Sequence, residues 1–414
     1  MRVLMTTDAV TGVWPYAVEL VRALRGAGVH VTLACLGPPP RAHHCDALAA
    51  LGEVELELYP SGLAWTHGGD EELARAGEWL LALEQRCTPD VVHLNGFAHA
   101  ALAWRAPTLL VAHACVPSWW RAVHGESAPA SYDGYRARVR AGLRRAEAVV
   151  APSAWMLRQL LEYRVRFQAA VIPHARRATE FTPGPKCGLI LAAGTRGDRG
   201  RNLAALEAVA GSLPWPVLVG EDAHAPVGPL PGPSPAPLGR WRWPLGKPPS
   251  PPATAELGPL STAEFGWWMA HAAIFVHPAR YEPFGLAPLE AGLSGCALVL
   301  GGIPSLREQW GDAAVYVSPD DRPGLARAIR ALIDDPSRRR QLGERARLRA
   351  QRCTVARMLA GYHALYRELI RLRAHPAASR AARPTAPPPA TYSTVMQAKR
   401  PFSFSGMVTL ACER

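Results

Sequence analysis

The chain has 414 residues, 49% of them hydrophobic, with 46 Lys and Arg against 34 Asp and Glu for a formal net charge of +12; that length allows two domains, each with its own core. No stretch is long and uniformly apolar enough to span a membrane, and the eight cysteines, at 35, 45, 87, 115, 187, 296, 353 and 412, include no Cys-x-x-Cys pair, so neither a zinc site nor a disulfide framework is indicated. The positive charge is almost all arginine, with lysine only at 186, 247 and 399 and asparagine only at 95 and 202; this is compositional skew rather than a nucleic-acid footprint, and the one anionic partner kept open is a membrane surface touched peripherally.

Arg2 to Thr7 reads as a strand at the very start, without a signal-peptide pattern, so a cytoplasmic location is expected, at the inner face of the membrane if that peripheral contact is made. The loop Asp8 to Pro15, with Gly12 and Trp14, leads into an amphipathic helix, Tyr16 to Arg25, and a second strand, Val29 to Cys35. This is a strand-helix-strand unit with a glycine turn at the strand's C-terminal end, where open α/β sheets take their ligands. Val54 to Tyr59 continues as strand, Glu71 to Arg86 as helix, Val91 to Leu94 as strand ending in Asn95, and Thr108 to Ala112 as strand ending at His113. Strands that finish in polar residues feed one cleft.

Ser118-Trp119-Trp120 falls in an irregular loop before a helix, Tyr135 to Ala146. A strand at Ala148 to Ser153, a helix at Trp155 to Tyr163 and the run Val171 to His174 close the first half. Beyond a proline-bearing linker a second series begins: strand Leu189 to Gly194, turn Thr195 to Asn202, helix Leu203 to Ala210 and strand Pro214 to Gly220. The interval 223–256, which holds Arg240-Trp241-Arg242-Trp243, reads as a disordered surface excursion. Ser261 caps a helix, Thr262 to Ala270, with Glu264 in the capping-box position.

The decisive stretch follows. Ala272 to Pro278 is a buried strand stopped by proline, and Leu286 to Leu293 a helix with Pro288 in its first turn. Between them lies Tyr281-Glu282-Pro283-Phe284-Gly285, and Glu290 sits two turns farther on. A strand, a glycine turn and a helix N-terminus make an anion site suited to a diphosphate, and the two glutamates can take hydroxyls on either side of it. The strand Cys296 to Leu300, a helix start at Pro304, the strand Ala313 to Val317 and helices at Pro323 to Asp334, Ser337 to Gln351 and Thr354 to Arg373 complete the pattern.

Pro-Ala-Arg-Tyr-Glu282-Pro-Phe-Gly-Leu with Glu290 resembles the signature of glycosyltransferase family 4, a likeness spanning about residues 1–373 and densest over 257–321. The resemblance implies an α/β chain of the GT-B fold: two Rossmann-like domains facing each other across a cleft, with a disordered C-terminal tail. The expected divisions are an acceptor-binding domain 1–175, a hinge 176–186, a nucleotide-sugar domain 187–354, a helix 355–373 returning towards the first domain, and the tail 374–414.

It also implies transfer of a sugar from a nucleotide-sugar to an acceptor hydroxyl with retention, without a bound metal or other cofactor. Glu282 would hold the donor sugar with His113, and Glu290 the ribose. The backbone of Phe284, Gly285 and Leu286 would hold sugar and phosphate, the Gly12 loop would let the donor approach, and Arg201 would face the diphosphate. Thr195 stands where the family places an arginine and Arg196 comes one residue later, so either Arg196 reaches round or that contact is missing. Trp14, Trp119 and Trp120 are acceptor-side candidates because aromatic faces stack on sugar rings, and Asn95 is one as the polar end of a strand feeding the cleft. The acceptor itself, glycan, lipid-linked or small molecule, is open. So are the alternatives of a non-catalytic nucleotide-sugar or glycan binder and of a sugar-nucleotide epimerase.

Overall fold

The computed structural model describes residues 1–52, 54–62, 70–195, 197–221, 254–375 and 408–410. The first half runs β1 (Arg2–Thr7), α1 (Val13–Gly26), β2 (His30–Leu36), α2 (Ala42–Ala49), β3 (Glu55–Tyr59), α3 (Asp70–Cys87), β4 (Val91–Leu94), β5 (Thr108–Val111), α4 (Val116–His124), α5 (Asp133–Arg145), β6 (Ala148–Ala151), α6 (Ala154–Leu160) and β7 (Phe167–Val171). The second runs β8 (Cys187–Ala193), α7 (Leu203–Ala210), β9 (Val217–Glu221), β10 (Thr254–Pro259), α8 (Thr262–His271), β11 (Ala272–His277), α9 (Leu286–Leu293), β12 (Ala297–Gly301), α10 (Pro304–Trp310), β13 (Val315–Val317), α11 (Arg322–Asp334), α12 (Pro336–Ala350) and α13 (Val355–Ala374). A last strand, β14, spans Val408–Leu410.

The strands form two sheets, ordered β14-β7-β6-β5-β4-β1-β2-β3 and β10-β9-β8-β11-β12-β13. Neighbours pair in parallel throughout except for β14, which is antiparallel to β7. Counted from its own first strand, each sheet carries the order 3-2-1-4-5-6, that of a doubly wound dinucleotide fold. Each therefore has one place where the chain reverses direction across the sheet: between β1 and β4 in the first, and between β8 and β11 in the second.

Buried on both faces, the central strands read as unbroken apolar runs, such as Ala272–His277 and Ala297–Gly301. The last helix belongs to the other half of the molecule. Met358, Tyr362, Leu365, Tyr366 and Leu369 line one stripe of α13 and complete the core around α1, with Tyr16, Leu20 and Leu24.

Four local readings change. The stretch around Trp119 and Trp120 is the helix α4, not a loop: Pro117 fits its first turn and Gly125, at φ 76°, closes it. The helix α2 was not anticipated, because its eight residues carry little apolar periodicity. Strand β10 begins at Thr254, inside the interval expected to be disordered, while 222–253, with Arg240 to Trp243, lies outside the described residues. In the tail, residues 376–407 and 411–414 also lie outside them, but Val408–Leu410 pairs with Phe167–Ala169 as an edge strand.

Gly301 ends β12 where the loop after β11 crosses it. A Cβ there would fall onto the carbonyl oxygen of Ala279, so the loop's close approach depends on the missing side chain. Gly301→Ala should cost about 1–3 kcal/mol, the usual range for forcing atoms into a packed interior. A urea-unfolding midpoint equal to wild type would show that the loop is free to yield.

Candidate functional site

The turn after β8 is built around Asp198. Its carboxylate accepts the amides of Gly200 at 2.8 Å and Arg201 at 3.2 Å, while Gly194 and Gly197 supply left-handed φ values of 146° and 86°. A Cβ on Gly194 would lie 2.9 Å from Cδ of Arg201, so the arginine stem is laid directly over the glycine. Asn202, at φ 58°, opens α7 and donates from its amide to the carbonyls of Pro278 at 3.0 Å and Pro319 at 2.9 Å. The Gly200 carbonyl accepts the amides of Arg280 at 2.8 Å and Tyr281 at 3.2 Å. The two turns at this sheet's reversal point are thus one stitched unit. Thr195 lies within it, its hydroxyl buried and unpartnered among the described residues; Arg196 lies outside them.

After β11, Glu282 turns back so that Oε2 lies 3.2 Å from Nε2 of His277, and Oε1 lies 3.5 Å from the amide of Phe284. Burial would raise this carboxyl. The hydrogen bond and charge of His277, the charge of Arg201 and the Phe284 amide outweigh it and hold Glu282 below the usual carboxylate range. Gly285, at φ 93°, is the N-cap of α9 and supplies no side chain to its first-turn amides. Leu286 starts the helix, and the first-turn amides form the positive end of its dipole.

Glu290 is buried at 5% exposure and paired with Arg176, whose Nε lies 2.5 Å from Oε1. Arg176 also lies 3.9 Å from Glu19 of α1, and Arg177 lies 3.4 Å from the same carboxylate. The sequence reading missed both Arg176 and Glu19. The available signals were an acidic residue on the apolar face of α1 and an arginine pair in the hinge.

On the first sheet, the reversal point presents His113, Asn95 and the loop after β1. His113 is hydrogen bonded through Nε2 to Oδ1 of Asn95 at 2.8 Å and through Nδ1 to Nε2 of His174 at 3.2 Å. Deeper in, His93 meets Tyr366 of α13 at 2.5 Å, and Asn95 and Tyr16 at 3.3 Å. Burial pushes His93 and His174 down to about 3, and burial with the neighbouring His174 and His93 pushes His113 well below its ordinary value. The ring of His174 stands edge to face with Phe284 at 5.0 Å between centroids, so this cluster meets the turn carrying Glu282.

Other candidates fare differently. Gly12 is exposed, with φ −60°, and a Cβ there would meet nothing; its contribution is open space, not a special conformation. Asp8 organises that loop, accepting the amides of Val10 at 3.0 Å and Thr11 at 2.8 Å. Trp14 is corrected outright: at 1% exposure its ring packs against His44 in the first core and offers no face to a ligand. Trp120 is stacked on His124 within α4, centroids 4.3 Å apart. Trp119 does reach the second half, its Nε1 sitting 2.9 Å from where a Cβ on Gly200 would be. Asn95 holds the two histidines rather than facing the cleft alone.

The halves are fastened together beside this site. Tyr281 accepts the Cys115 amide at 3.1 Å and shares a 2.9 Å hydrogen bond with Ser118 of α4. Ser153 donates to the Pro283 carbonyl at 2.7 Å. Glu308 of α10 accepts the amides of Ala154 and Trp155, at 2.8 and 2.9 Å, at the N-terminus of α6. Among the described residues no group of three or more His, Cys, Asp or Glu is placed to hold a metal ion, and no helix is long and apolar enough to cross a membrane.

Two doubly wound sheets with their reversal points opposed, an arginine-bearing turn and a glutamate pair around a helix N-terminus define the GT-B class. Residues 10–176 match the family model for glycosyltransferase family 4, and residues 258–349 that for glycosyl transferases group 1. The chain belongs to glycosyltransferase family 4. It is similar to a glycogen synthase of Mycobacterium tuberculosis, 39% identical over 104 residues, which are 25% of this chain and 24% of that protein. A D-inositol 3-phosphate glycosyltransferase of Pseudarthrobacter chlorophenolicus is 33% identical over 115 residues, 26% of this chain and 27% of that protein. The likeness thus spans about a quarter of the length of these relatives. Among solved structures, a sucrose-phosphate synthase from Thermosynechococcus elongatus superposes with TM-score 0.68 at 18% identity, over 89% of this chain and 99% of that one. HepE of Anabaena in complex with UDP and glucose does so with TM-score 0.66 at 15% identity, over 88% and 98%.

His93, His113 and His174 are neutral in the fold and take up protons on unfolding once the pH is below their ordinary 6.5. Their folded values are depressed, so their stabilisation is complete above that pH and is lost as pH falls towards 3. Between pH 6.5 and 5 stability should drop, by about 2 kcal/mol for each of His93 and His174, read from urea midpoints. A flat profile would mean that the cluster is already charged.

Proposed function

We propose that the chain moves a glycosyl group from a nucleotide-sugar to an acceptor hydroxyl with retention at the anomeric carbon. The observation that carries this reading is the stitched pair of turns at the reversal point of the second sheet. It brings Arg201, Glu282 and the uncapped N-terminus of α9 to one place, with Glu290 two turns behind. Positive charge and amides there face a diphosphate, Glu282 holds the donor sugar opposite the imidazole cluster of His113 and His174, and Glu290, oriented by Arg176, takes the ribose hydroxyls. The backbone of Phe284, Gly285 and Leu286 closes round sugar and phosphate.

As the bond from the anomeric carbon to the diphosphate breaks, the leaving oxygen keeps the electron pair, and Arg201 with the α9 amides stabilises that charge. An acceptor approaching on the same face sets its hydroxyl proton beside the departing oxygen, which is basic enough to take it. In this reading 1–175 and 187–354 act as acceptor and donor domains about the hinge 176–186. HepE, a fold neighbour, binds UDP-glucose, which makes uridine sugars the first donors to test.

A thermal-shift screen of nucleoside diphosphates and nucleotide-sugars should single out one base, since a ligand that binds only the folded chain raises its melting temperature. Glu290→Ala should weaken the diphosphate itself, and Arg201→Ala should lower turnover by about two to three orders of magnitude. A wild-type protein that releases no nucleoside diphosphate from any donor in the screen would favour the non-catalytic binder, and a wild-type rate in Arg201→Ala would remove this turn from the reaction.

A further inference from the structure

In the sequence His174 stands out only as the end of the run Val171 to His174 that closes the first half. In the fold it lies between His113 and the turn that carries Glu282: its Nε2 meets His113, and its ring abuts Phe284, near enough to Glu282 for that carboxylate to act on its titration. The residue is 5% exposed, and its Nδ1 is buried without a partner among the described residues.

The hydrogen-bond chain fixes which nitrogens carry protons. Asn95 donates from Nδ2 to the Thr6 carbonyl at 2.7 Å, so its Oδ1 is the atom facing His113, and an oxygen can only accept. Nε2 of His113 therefore holds the proton. Burial keeps that ring neutral, so its Nδ1 is bare and requires a donor, which among the described residues Nε2–H of His174 supplies. His174 is neutral as well, so the nitrogen left over, Nδ1, is a bare lone pair.

A bare lone pair in a buried site accepts and does not donate, so it repels phosphate oxygens and suits an O–H. We propose that Nδ1 of His174 receives a hydrogen bond from one hydroxyl of the donor sugar and thereby sets which sugar is transferred. This rests on the transferase reading above. Nothing in it involves the nucleotide, which is held farther along α9.

Two variants separate the ring's two nitrogens. His174→Gln places an amide near the Nε2 position and keeps a donor for His113 but loses the acceptor. His174→Asn keeps a carbonyl oxygen near Nδ1 and gives up the His113 contact. The probes are the nucleotide-sugar selected by the screen and its monodeoxy analogues, with kcat/KM measured for each and the affinity for the nucleoside diphosphate measured alongside. Wild type should discriminate against one deoxy analogue by about 10- to 100-fold. In His174→Gln that single ratio should fall to about 1 while the others and the diphosphate affinity hold, and in His174→Asn it should persist. Unchanged ratios in His174→Gln, or an equal loss on every donor, overturn the inference and leave the transferase reading standing. A wild-type chain that consumes no donor overturns both.

Discussion

The contact on which the arrangement depends is the buried chain Glu19–Arg176–Glu290. Its members come from the first helix, the hinge and the helix that follows the signature turn. Charges removed from water are tolerable only when paired, and deleting one partner strands the other. Burial would lower the guanidinium of Arg176, but Glu290 and then Glu19 more than compensate and hold it charged. Arg176 therefore ties the segment leaving the first sheet to one helix of each half. The meetings of His174 with Phe284 and of Tyr281 with Ser118 lie along the same seam between the halves.

Within each half the same sheet order produces the same crevice, and the local chemistry then differs. On the first sheet the reversal point is filled by neutral imidazoles and an amide, groups matched to hydroxyls. On the second it carries an arginine, a low-titrating carboxylate and a helix N-terminus, groups matched to phosphate and its sugar. The two crevices differ in charge more than in architecture.

What the sequence carried openly was whatever is encoded over short range. The signature from Tyr281 to Glu290, the capping box at Ser261 and Glu264 and the three closing helices are all local patterns, and their physics is that of a turn or a helix end. The misses are of two kinds. Helix α4 was hidden because two tryptophans drew attention from Pro117 and Gly125, which mark its ends. Trp14 was assigned to a ligand because no local rule says that its ring finds His44, thirty residues on. Arg176, Glu19 and His174 belong to the second kind: each draws its role from a partner more than sixty positions away, and no spacing announces such a partner.

The helix α13 has a consequence for how the chain comes into being. Tyr362 and Tyr366 are fully buried in the core of the first half, and Tyr366 is the hydrogen-bond partner of His93. A ribosome finishes every strand from β1 to β7 long before it makes these residues. Throughout the synthesis of the second half, the first sheet therefore stands with one apolar groove unfilled and with Nδ1 of His93 still lacking Tyr366. The nascent amino-terminal half is a partner-seeking surface until the chain's own last helix arrives, and truncation ahead of that helix removes a piece of the domain farthest from it in sequence.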